Sequence, residues 1–144
     1  MHSPTLHPLV SLLLIILVVS CDRKQDGHDH EHDHATAGDD VWKEMDDFHM
    51  IMAETFHPYK DSSNLEPAKT RALELMDAAE QWASASLPGK VDNERVRSKL
   101  KQLKSEAATL AENVKSSDDN AIAEHLIRVH DTFHAIQEEW YGGH

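Results

Sequence analysis

From residue 40 onward, apolar residues return every three or four positions in four successive stretches, the period of one helix face. The first stretch, about 40–57, places Val41, Met45, Phe48, Met52 and Phe56 on one side. Pro58 predicts its end, because the residue before a proline is pushed out of helical geometry. The second, about 65–86, aligns Leu65, Ala72, Met76, Ala79 and Ala83 before Leu87-Pro88-Gly89 breaks it. The third, about 93–115, carries Val96, Leu100, Leu103, Ala107, Leu110 and Val114. Asp92 is its expected N-cap, with Val91 and Val96 as a hydrophobic staple. The fourth, about 119–141, shows Ile122, Leu126, Val129, Phe133, Ile136 and Trp140, and Gly142-Gly143 stops it. Four amphipathic helices of similar length on short loops predict an all-α, up-down-up-down four-helix bundle over 40–144. No strand pattern, repeat or glycine-rich phosphate loop competes with it.

The first thirty-nine residues read differently. Leu9 to Val19 is an apolar run too short to span a bilayer comfortably. It ends at Val18-Val19-Ser20-Cys21, which resembles a bacterial lipobox, although the first eight residues carry His2 and His7 and no Lys or Arg. The resemblance implies a signal peptide over 1–20, cleavage before Cys21 and lipidation of its thiol. The expected location is then the cell envelope, as an extracytoplasmic (periplasmic) lipoprotein anchored in the membrane. Asp22 after the cysteine favours inner-membrane retention in some lineages, so the choice between inner and outer membrane stays open. Cys21 is the only cysteine, which excludes a disulfide or a thiolate metal site in the mature chain. Residues 21–39 hold almost no apolar side chains and predict a disordered tether, since they cannot offset their chain entropy by burial.

Charge and histidine content narrow the function. A net charge of −12 argues against nucleic-acid binding and suits attraction of cations. Ten of the twelve histidines lie beyond Cys21. His28, His30, His32 and His34 alternate with acids in the tether and offer loose, fast-exchanging capture of divalent ions. Five more lie on the first and last helical segments: His49, His57, His125, His130 and His134. In the predicted bundle those segments are antiparallel neighbours, so residues whose numbers add to roughly 180 share a level. His49 then falls between His130 and His134, Met45 near His134, and His57 near His125. His130 and His134 have the i, i+4 spacing of a helical ligand pair.

These positions predict a metal site of His49, His130 and His134 with Met45 or Met52 as a soft fourth ligand. His57 and His125 are secondary candidates, and His125, on the opposite flank from His130, would not share its ion. Thioether plus imidazole suits copper, whereas imidazoles alone suit zinc, nickel or cobalt equally. The role would be metal buffering, resistance or delivery, with an efflux or redox protein as partner, and without catalysis.

Two stretches carry a second reading. Val41-Trp42-Lys43-Glu44-Met45 and Thr132-Phe133-His134-Ala135-Ile136 place a Met early in the first helix and a His late in the last. In this layout the chain resembles cytochrome b562 and its four-helix relatives. The resemblance implies heme b held non-covalently by Met45 and His134, and one-electron transfer. Covalent heme is excluded, because C-x-x-C-H is absent. The histidines beyond that pair favour a bare ion. Glu54-Thr-Phe-His57 and Asp131-Thr-Phe-His134 echo a di-iron motif, but their predicted levels differ. An interaction lipoprotein would need an exposed apolar patch, to which Trp42, Trp82 and Tyr141 would contribute.

Overall fold

In a computed structural model, the structure describes residues 41–142. The expected signal peptide, Cys21, the tether and its histidines lie outside the described residues. Four α-helices carry the fold: α1 (Lys43–Ser62), α2 (Glu66–Ser84), α3 (Glu94–Ser116) and α4 (Asp119–Gly142), and there are no strands among the described residues. A single 3-10 turn, Gly89–Val91, precedes α3. No helix among the described residues is long and apolar enough to cross a membrane.

Helix α4 shows most directly why the chain folds this way. All six residues of its predicted stripe are buried, and Thr132 joins them. Asp118 caps its start, its carboxylate accepting from the N–H groups of Asn120 and Ala121 at 3.0 and 3.2 Å. Helix α3 likewise buries Val96, Leu100, Leu103, Ala107 and Leu110, but Ala111 completes the face and Val114 is only partly buried. Its cap is Asn93 rather than Asp92, accepting from Val96 N–H at 3.0 Å. Asp92 instead pairs with Arg97. Val91 and Val96 are both buried in the core, although the shifted cap takes them out of the two staple positions.

Three further expectations are corrected. Helix α1 does not stop before Pro58 but runs on to Ser62. Proline removes only the hydrogen bond to the Glu54 carbonyl, and the final turn is otherwise closed. The Ser62 hydroxyl donates to the Pro58 carbonyl at 2.9 Å, and Ser63, left-handed at φ 56°, donates to Tyr59 O at 2.7 Å. Phe56 and Tyr59 pack against the core from this turn, which offsets the break. Helix α2 turns a different face inward: Ala68, Ala72, Leu75, Ala79 and Trp82 are buried, with Leu65, Met76 and Ala83 at the margin. Trp42 and Trp82 are 1 % exposed and belong to the core, so of the three expected patch residues only Tyr141 faces solvent.

Helices α1 and α4 run in opposite directions. Trp42 meets Trp140 at 5.5 Å between ring centroids, Phe48 meets Phe133 at 5.6 Å, and Phe56 meets His130 at 3.7 Å. The same antiparallel order holds between α3 and α4. Lys99 bonds Ala135 O and Glu139 at 2.8 and 3.0 Å, and Thr132 donates to Glu106 at 2.6 Å. The level rule inferred for the first and last helices holds at Trp42–Trp140 and Phe48–Phe133 and drifts by more than a turn at Phe56–His130, so His57 meets histidines beyond the level predicted for it.

Candidate metal centre between α1 and α4

The histidines of α1 sit beside its buried face rather than on it. His49 and His57 flank the row Met45, Phe48, Met52 and Thr55, which is buried. On α4, His130 and His134 flank Val129 and Phe133 in the same way. Where the two flanks face each other they line a cleft of about 320 Å³, its open mouth included. Met52, Ala53, Phe56 and Phe133 complete its walls. Of the histidines that line it, His130 is the one that is half-buried, with 25 % of its side chain exposed.

Stacking holds two of these rings. Phe56 lies face to face with His130 at 3.7 Å and 13° between planes. Phe133 stacks on His49 at 5.3 Å and 19°. Such contacts fix ring planes without using ring nitrogens.

The nitrogens of the α4 pair are fixed from outside. His130 Nδ1–H donates to Asp131 Oδ1 at 3.3 Å, because a carboxylate can only accept, and His134 Nδ1 lies 3.0 Å from Gln137 Oε1. The two Nε2 atoms then stand 3.0 Å apart, a spacing that one shared proton or a bridging cation satisfies. Orientation of a ligating imidazole through its other nitrogen is the usual arrangement around bound metals. Burial beside Phe56 also pushes the His130 imidazole below its ordinary value, partly opposed by Asp131, which favours the neutral, ligating form.

The remaining expected ligands divide. Met52 lines the cleft, whereas Met45 does not; it is 1 % exposed within the core. His57, expected near His125, lines the cleft with His130 and His134, one turn beyond Ala53 on α1. His125 lies outside the cleft, and its Nδ1 is buried without a partner. Among the described residues, no three His, Cys, Asp or Glu side chains already converge as a metal-binding group. Two nitrogens converge, and the other donors stand across the cleft. Ala53, Asp131 and Gln137 are the additions of the tertiary structure. The i, i+3 spacing of His134 and Gln137 is the signal that would have revealed the last of these.

A heme between Met45 and His134 does not fit this packing. The α1–α4 seam at that level is filled by the Phe48–Phe133 and Trp42–Trp140 contacts, and Met45 is sealed within the core. Glu54, the first residue of the di-iron-like motif, is paired with Arg71 of α2. Compared with protein-family models, curated proteins and solved structures, the chain matches none.

Proposed function

We propose that this protein is an extracytoplasmic, lipid-anchored transition-metal-binding protein whose helical bundle holds an ion between α1 and α4. The observation that carries this reading is the approach of His130 and His134 Nε2 to 3.0 Å with both Nδ1 atoms engaged elsewhere. His130 and His134 are the primary ligands, with His49, His57 and Met52 within the same cleft. The up-down-up-down course of the helices suits the role, because it sets the first and last helices side by side. Lipidation at Cys21 would keep the bundle at the membrane. His28, His30, His32 and His34 would gather ions for the bundle. The function is to hold and pass on an ion, in buffering, resistance or delivery to an efflux or redox partner, rather than to turn over a substrate.

The test is native mass spectrometry of the full chain, with the four tail histidines replaced by Asn and no chelator in purification. One first-row metal ion per chain is expected, lost in the His130→Ala/His134→Ala double variant. A chain that stays bare when copper, zinc, nickel and cobalt are offered would defeat the reading.

A further inference from the structure

The chain carries 26 acidic residues, yet among the described residues none lines the cleft. Its donors are imidazole nitrogens and one thioether, all neutral, and its other walls are Ala53, Phe56 and Phe133. That combination bears on the charge of the ion. The cost of moving an ion from water into an apolar site rises with the square of its charge, so a divalent ion loses about four times as much as a monovalent one. A carboxylate ligand would compensate the second charge. Asp131 is the nearest acid to the pair, but it hydrogen-bonds Nδ1 from the outer side and is 71 % exposed.

Ligand type points the same way. Zinc draws its ligands from His, Cys, Asp and Glu rather than from thioethers. The cleft offers two converging nitrogens and the Met52 side chain, which is 1 % exposed and has its surface turned to the interior. A thioether is a soft ligand that selects monovalent copper over the harder divalent ions. Met50, two residues earlier, points to solvent at 65 % exposure and cannot serve.

We infer that the cleft selects Cu(I), bound by Nε2 of His130 and His134 and by the sulfur of Met52, in preference to divalent ions. This rests on the cleft being a metal site. Met52 is the specificity-determining residue, and His49 and His57 stand at the entrance as exchange ligands.

The experiment uses the full chain with its four tail histidines replaced by Asn. Under anaerobic conditions with ascorbate, Cu(I) is titrated against bicinchoninate, and Zn(II) against a zinc-responsive dye. Met52→Leu keeps volume and apolarity, and Met45→Leu is the control in the sealed core. The expected result is one Cu(I) per chain, bound at least 100-fold more tightly than Zn(II). Met52→Leu should weaken Cu(I) tenfold or more and move Zn(II) less than twofold, while Met45→Leu changes neither. Copper-edge X-ray absorption should show a sulfur neighbour that disappears in Met52→Leu, a readout that a loss of packing alone would not produce. Zn(II) bound as tightly as Cu(I), or a Cu(I) affinity and spectrum indifferent to Met52→Leu, overturns the selectivity while the metal site stands. Binding unaffected by His130→Ala/His134→Ala overturns both.

Discussion

Helix α4 has two flanks, and they are built by different chemistry. Towards α3 it is knitted by polar contacts: Lys99 to Ala135 O and Glu139, Gln102 to Thr132, and Thr132 to Glu106. Towards α1, among the described residues, no hydrogen bond or ion pair crosses between the helices, and ring pairs mark the contact: Trp42–Trp140, Phe48–Phe133, His49–Phe133 and Phe56–His130. Hydrogen bonds fix register by direction and length, whereas burial of apolar surface is non-directional. The difference places a polar, directional seam on one side of α4 and a ring-packed, nitrogen-lined cleft on the other. A site that must admit and release an ion belongs on the second.

Phe133 is the residue shared by the core and the cleft, touching Phe48, Trp82, His49 and His134. Phe133→Ala should therefore produce the largest effect, about 3–5 kcal/mol of lost stability. Urea melts should show it together with weakened metal binding; a variant with unchanged stability would mean the α1 seam is not held by rings. His130→Ala/His134→Ala should separate the two properties. Metal affinity should fall at least 100-fold, about 2.7 kcal/mol, while the melting temperature of the metal-free chain moves little.

The α3 side is probed by Glu106→Ala, which leaves the buried Thr132 hydroxyl without its acceptor. The expected cost is about 1–2 kcal/mol in denaturant unfolding. Metal affinity should stay within twofold, and a larger change would show that the flanks are coupled. Gln137→Leu removes the acceptor that fixes the His134 ring. A loss of about tenfold in metal affinity with native stability is expected, in the range for groups that orient a ligand.

The smallest effect is set by pH. The hydrogen bond from Lys99 holds the Glu139 carboxyl below its ordinary value of 4.5. A carboxylate with a depressed folded value contributes stability above its unfolded value and loses it as pH falls through the folded one. Lys99→Met should therefore flatten the decline in stability below about pH 4.5 and leave the chain near pH 7 only slightly weaker. An unchanged acid limb would show that the pair adds nothing to the α3 seam.

Legibility in the sequence followed how strongly each residue's role is fixed locally. The α4 stripe was fully readable, because its apolar residues stand apart among polar ones. Helix α2 was not, since Ala68, Ala72, Leu73, Leu75, Met76, Ala78, Ala79, Trp82 and Ala83 leave no single face unmarked. Its neighbours chose Leu75 and Trp82 for the interior and left Leu73 59 % exposed. Pro58 misled because its local penalty was outweighed by packing of Phe56 and Tyr59, contacts that a local rule does not contain.

By itself the sequence determined four helices, their approximate bounds, the antiparallel levels of the first and last, and the candidacy of His49, His130 and His134. Those follow from periodicity and chain length, which are properties of a segment. Only the tertiary structure decided that Met52 and His57 line the cleft while Met45 is sealed in the core and His125 lies outside the cleft. It also decided that Asp131 and Gln137 turn two nitrogens towards each other. A ligand set is a matter of ångströms and lone-pair directions, and those are fixed by how side chains from different helices fill the space between them.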